Sequence, residues 1–157
     1  MGKKTAGKVV LPPVDQVGIV VKDAEKTAEH YSSMFGIGPF AIYGISIDKG
    51  MLCDKRAAPS RMKIAIAQMG PIEIELIQVL EGGEVYSDFI HSQGEGLHHL
   101  GIHIDDIDDY ERLLAEFSNQ GIKPVFSYKG RRLCCAYLDT QDIGGVMLEL
   151  IYLAKAL

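Results

Sequence analysis

"HLGIHIDDIDDYERLLAEFSNQG", residues 99–121, runs from a β-branched strand into an amphipathic helix that stops at Gly121. The chain has played the same passage once before. "QVGIVVKDAEKTAEHYSSMFG", residues 16–36, is a β-branched run, then Asp23 as N-cap, then a helix closed by Gly36. Two later phrases echo each other as well, "EIELIQVL" at 73–80 and "MLELIYLA" at 147–154. Each half therefore reads strand, helix, then further strands. An internal duplication of this kind largely dictates the fold.

The remaining segments fill in the two halves. "AIYGISI" reads as a strand, and "RMKIAIAQM" and "IEIELIQVL" flank Gly70-Pro71 as a hairpin. "DKGMLCDKRAAPS" has no period and reads as a mobile loop, and "SDFIHSQGEG" as a short helical turn and loop. "KPVFSY", "RRLCCAYLD" and "VMLELIYL" supply the last three strands. The expected organisation is a flexible tail over 1–13 and one domain over 14–153. Its first module spans about 14–81 and its second about 97–153, with helices at 24–35 and 107–119.

Side chains alternate faces along a strand, so parity sorts the candidates. Leu100, Ile102 and Ile104 share one face, and His99, Gly101 and His103 the other. Val17, Ile19 and Val21 oppose Gln16, Gly18 and Val20; Ile74 and Leu76 oppose Glu73, Glu75 and Ile77; Leu148 and Leu150 oppose Met147, Glu149 and Ile151. Each strand has an apolar face suited to packing under a helix. The opposite face carries Gln16, Glu75, His99 or Glu149 at matched places of the two copies. Imidazole, two carboxylates and an amide oxygen, without thiolate, suit a hard-to-borderline divalent cation such as Zn, Co, Ni, Mn or Mg.

Bulk properties narrow the function classes. The net charge of −5 argues against a nucleic-acid partner, whose phosphates attract a basic face. No apolar run approaches the ~20 residues of a membrane span, and the basic start "MGKKTAGKVVLPP" has no apolar signal core, so a cytoplasmic location is expected. Cys53, Cys134 and Cys135 are odd in number, form no C-x-x-C pair, and read as apolar filler.

The phrases "DQVGIVVKD", "FGIGPF", "IEIELIQVL", "GEGLHHLGIHIDDID" and "GGVMLELI" together resemble the vicinal oxygen chelate superfamily of glyoxalases, bleomycin-resistance proteins and extradiol dioxygenases. Within it, "GEGLHHLGI" and "GGVMLELI" are similar to methylmalonyl-CoA epimerase. The resemblance covers about residues 14–153. It implies an α+β fold of two paired βαβββ modules forming a cupped mixed sheet, helices outside. It also places the family's metal ligands on Gln16, Glu75, His99 and Glu149, and leaves His98 on the opposite face.

The implied activity is a divalent-metal-dependent isomerase, epimerase or lyase acting next to the carbonyl of a small-molecule carbonyl or acyl-CoA substrate. Glu149 is the expected base and Glu75 its counterpart. Expected substrate contacts are His103, Phe40, Tyr43 and the cationic pair Arg131 and Arg132. Glu73 reads as an exposed rim carboxylate. A homodimer is the assembly to test. Three departures stand out. Gln16 replaces the His usual for epimerases at the first metal position. "AAPS" stands where epimerases carry a further acid/base Glu, with only Asp48 and Asp54 in the neighbourhood. Val20 stands where glyoxalase I carries its glutathione-binding Arg. The rival readings are a lactoylglutathione lyase and a non-catalytic, drug-sequestering protein on the same cup.

Overall fold

The computed structural model describes residues 7–155. Its strands are β1 (Gln16–Val20), β2 (Ala41–Ile47), β3 (Met51–Leu52), β4 (Lys55–Arg56), β5 (Ser60–Met69), β6 (Ile72–Glu81), β7 (Gly96–His103), β8 (Pro124–Lys129), β9 (Leu133–Leu138) and β10 (Met147–Leu153). The helices are α1 (Ala24–Phe35), α2 (Glu84–Gln93) and α3 (Ile107–Asn119). The strands form one mixed sheet in the order β2-β5-β6-β1-β7-β10-β9-β8-β3-β4. The first four and the next four are mirror copies of one module. β1 runs parallel to β6, β7 runs parallel to β10, and antiparallel β1 and β7 join the halves.

Local signals set the boundaries of the two outer helices. The Asp23 side chain accepts from the Lys26 amide, and Gly36 closes α1 at φ 68°. Asp106 accepts from the amides of Asp108 and Asp109, and with Asp108 and Asp109 it places negative charge at the positive end of α3. Ala24 and Ala28 of α1 pack with Leu76 and Ala65, and Ile74 adds to that layer. Tyr110, Leu113 and Phe117 of α3 pack on Ile102, Ile104, Leu138 and Leu150. Of the apolar faces assigned by parity, Ile74, Leu76, Ile102, Ile104, Leu148 and Leu150 therefore lie in the layers under the helices, whereas Val17 and Leu100 on the two central strands are only half-buried. The opposite faces line the inside of the cup.

Two segments differ from the sequence expectation. The 48–59 stretch is not wholly a loop. It carries β3 and β4, and β3 pairs with β8, so the first module reaches the far edge of the second. Its composition hides this because two-residue strands are too short to show a period. The "SDFIHSQ" turn is the end of a ten-residue helix, α2, which buries Tyr86 and Phe89 against Val20, Ile77, Tyr137 and Met147. Gly83 and Gly94 bound that helix without a side-chain cap, which removes the usual signal.

Residues 1–6 of the expected tail lie outside the described residues. From Gly7 onward the segment is docked rather than loose. Val9 and Leu11 pack on the α3 core, and Gln120 donates to the Gly7 carbonyl at 2.7 Å. No helix among the described residues is long and apolar enough to cross a membrane.

Candidate metal centre

The central strands β1 and β7 set the site. Their register places Gln16 opposite Gly101 and Gly18 opposite His99. The two glycines are reciprocal. A Cβ on Gly18 would lie 1.9 Å from His99 Cε1, and one on Gly101 would lie 2.6 Å from Gln16 Oε1. Each module thus omits a side chain where the other module's polar group must fit. Gly18→Ala is expected to destabilise the fold by about 1–3 kcal/mol through overpacking. It should also weaken metal binding at least tenfold, read from urea midpoints with and without Mn²⁺. Unchanged midpoints and affinity would contradict the close approach.

β6 and β10 flank this pair and bring in the carboxylates. His99 Nε2 lies 3.0 Å from Glu149 Oε2, 3.4 Å from Glu75 Oε2 and 3.2 Å from Gln16 Oε1. His99 is fully buried, and Gln16 and Glu149 nearly so. Glu73 accepts a hydrogen bond from Gln16 Nε2 at 2.7 Å, which turns Oε1 of that amide inward toward His99. Glu73 is thus a positioning partner rather than the bare rim carboxylate that its place in the sequence suggests.

His98 departs from the parity assignment, which puts it on the outer face. Ile19 pairs with Leu97 while Gly18 pairs with His99, so His98 is the extra residue of a β-bulge. The bulge turns both imidazoles to the inside, with Nδ1 atoms 3.0 Å apart. His98 Nε2 faces the Val85 carbonyl at 3.0 Å. A carbonyl only accepts, so His98 carries its proton on Nε2, and its bare Nδ1 accepts from His99 Nδ1–H. Burial first, and then the neighbouring His99 charge, lower the His98 pKa to about 4, in keeping with a neutral ring.

This directs His99 Nε2 at three oxygens that only accept. Such a buried cluster needs a cation at its centre, either a proton or a metal ion. For His99, burial opposes the charge, but Glu149 and Glu75 outweigh it and raise the pKa to about 9. Burial in turn raises the Glu149 carboxyl, more than His99 and a hydrogen bond from Tyr137 offset. Ligand atoms of Glu75, His99 and Glu149 lie within 4.8 Å of one another. With Gln16 they form one amide, one imidazole and two carboxylate donors from four strands, a set that fits a divalent ion.

A cavity of about 280 Å³ opens onto this cluster. Gln16, Glu73, Glu75, His103 and Glu149 mark its polar end, and Ile45, Met62, Ile64, Ile66, Ile151 and Leu153 its apolar wall. Tyr43 lines it too, and burial, then the Glu75 and Glu73 charges, push its pKa up to about 12. The Tyr86 and Tyr137 hydroxyls, 2.6 Å apart, border it beside Cys135. His103 is half-buried at the rim, its Nδ1 2.9 Å from Asp15.

Phe40 is not part of this wall. It packs edge-on against Tyr31 in the layer under α1, because it lies ahead of β2 on the helix side of the sheet. Arg131 and Arg132 are exposed at the β8–β9 turn, and only their neighbour Leu133 lines the cavity. A larger groove of about 570 Å³ by the β3–β8 edge, lined by Met51, Cys53, Lys123 and Asp139 among others, lies apart from these donors.

Comparison with known proteins agrees with this architecture. An uncharacterized protein of Bacillus subtilis, YqjC, is 21% identical over 145 residues, covering 87% of this chain and 89% of that one. The structure of a methylmalonyl-CoA epimerase from Mycobacterium tuberculosis superposes with a TM-score of 0.69 at 22% identity, covering 99% of this chain and 94% of the other. A Streptomyces coelicolor methylmalonyl-CoA epimerase variant in complex with 2-nitronate-propionyl-CoA gives 0.67 at 20% identity, covering 93% and 100%. A hypothetical protein from Bacillus halodurans gives 0.65 at 23%, covering 92% and 96%. At these identities the structural matches speak for the fold. The family model for the Glyoxalase/Bleomycin resistance protein/Dioxygenase superfamily matches residues 15–135, and with the cupped two-module sheet around Gln16, Glu75, His99 and Glu149, the chain belongs to that superfamily.

Proposed function

We propose that this protein is a divalent-metal-dependent enzyme that moves a proton at a carbon next to a carbonyl, as an isomerase, epimerase or lyase does. The observation that carries the reading is the convergence of three acceptor oxygens on His99 Nε2 at the floor of an apolar cavity. A bound divalent cation supplies Lewis acidity toward a carbonyl oxygen, which acidifies the adjacent C–H.

The chain's own residues supply the rest. Gln16, Glu75, His99 and Glu149 hold the cation, Glu73 aims the Gln16 amide, and His98 fixes the His99 tautomer. Glu149 takes the proton: burial raises its pKa above the ordinary carboxylate range, which strengthens it as a base. Glu75, from the other module, stands across the site as the partner that an epimerisation requires. Ile64, Ile66 and Ile151 exclude water from the reacting carbon.

The acyl-CoA reading draws support from structural neighbours that are methylmalonyl-CoA epimerases. The glutathione-dependent alternative loses ground because Val20 is fully buried in the cup core, leaving no cation at that place. The stretch Ala57–Ser60 supplies no titratable side chain, and Glu75, which lines the same cavity as Glu149, is assigned the second acid/base role.

The test is metal content of the purified protein, then deuterium uptake from D₂O into a panel of acyl-CoA esters and ketones. About one ion per chain and metal-dependent exchange are expected. Metal binding with tight ligand binding but no exchange in any compound would replace this reading with a sequestering one.

A further inference from the structure

The cavity holds an excess of one sign of charge. Glu73, Glu75 and Glu149 all border it, and none of the described residues lining it is Lys or Arg. Its one basic wall residue, His103, is engaged by Asp15 at 2.9 Å. The nearest strand cations are turned elsewhere: Lys63 pairs with Glu25 of α1 at 3.0 Å, and Arg61 lies exposed 3.7 Å from Glu81. Glu75 and Glu149 by themselves balance a divalent ion. Glu73, one amide away through Gln16, adds a further negative charge that nothing in the cavity offsets.

We infer that the cavity selects a carbonyl compound whose reacting end is uncharged and carries an apolar substituent, and disfavours one with a free carboxylate there. This rests on the metal-dependent reading above. A carboxylate placed beside the ion would meet the Glu73 charge across a largely apolar-walled cavity, where like-charge repulsion is less screened than in bulk water. A ketone in the same place meets no such opposition, and its alkyl group lies against Ile64, Ile66 and Ile151. Selectivity here comes from repulsion of the wrong ligand as well as attraction of the right one.

Two near-isosteric thioesters separate the alternatives. Methylmalonyl-CoA and 2-methylacetoacetyl-CoA differ by a carboxylate oxygen against a ketone methyl, and both bear an acidic hydrogen on the same carbon. Calorimetric titration of the Mn²⁺-loaded protein with each is expected to show the ketone binding at least tenfold tighter. The N-acetylcysteamine thioesters of both acids, which lack the CoA phosphates, should keep the same ratio. Glu73→Gln keeps an oxygen acceptor for Gln16 and removes the charge, so it should narrow the ratio several-fold by strengthening the carboxylate ligand. Equal or tighter binding of the carboxylate compound overturns the inference, as does failure of the loaded protein to bind either. A protein that takes up no metal would instead fail the functional reading itself, and metal stoichiometry measured beforehand distinguishes the two.

Discussion

Glu149→Gln is expected to leave most of the metal affinity in place while slowing solvent exchange next to the substrate carbonyl by about 10²–10⁴-fold. The amide keeps an oxygen where the Glu149 carboxylate now lies 3.0 Å from His99 Nε2, but it has no basicity to offer. Glu149 is chosen over Glu75 for two reasons. Its side chain is the more buried of the two, 7% exposed against 14%. Burial also raises its pKa, which strengthens it as a base for a carbon acid. Calorimetry with Mn²⁺ and deuterium uptake measured side by side separate ligand from base. Normal turnover in Glu149→Gln together with a dead Glu75→Gln would reverse the assignment. If neither change affected exchange, both carboxylates would be bystanders.

Metal affinity is expected to climb about tenfold per pH unit, roughly 100-fold between pH 7 and pH 9, and then level off. The reason is the proton that a cation must displace from His99 Nε2. With its pKa raised from 6.5 to about 9, His99 stays protonated through neutral pH in the metal-free protein. The sign for stability follows from the same shift. The stabilisation from the imidazolium is complete below pH 6.5 and is lost as pH rises through about 9. Metal-free protein should therefore unfold more easily in that window, and metal should rescue it most at the alkaline end. His99→Ala removes both the ligand and the competing proton, so binding should fall at least 100-fold and lose its pH slope. Mn²⁺ titrations from pH 6.5 to 9.5 check this. A flat wild-type profile would mean that the ion does not replace a proton at Nε2.

Much of this was legible in the chain because a duplication writes each signal twice. Parity put Gln16, Glu75, His99 and Glu149 on one face, and their strands are central, so a polar residue there is buried and must converge with others. The repeated glycine carried a signal of its own. Gly18 follows Gln16 and Gly101 follows His99 by two places, and each glycine faces the other module's polar residue across the β1–β7 seam.

What stayed hidden is irregular. A one-residue bulge breaks parity at His98, and nothing in "GLHHLGI" marks which histidine is the extra one. Glu73 and Glu75 share a face, so alternation cannot tell the carboxylate that meets His99 from the one that orients Gln16. Phe40 sits in a loop ahead of β2, where no period applies. The β3–β8 pairing joins segments more than 70 residues apart through strands of two residues.

Diffraction from crystals grown with Mn²⁺ tests the central claim most directly. The account predicts one anomalous peak per chain, about 2.0–2.3 Å from His99 Nε2 and from oxygens of Gln16, Glu75 and Glu149. An ion bound elsewhere, with His99 Nε2 still hydrogen-bonded to the two carboxylates, would contradict it.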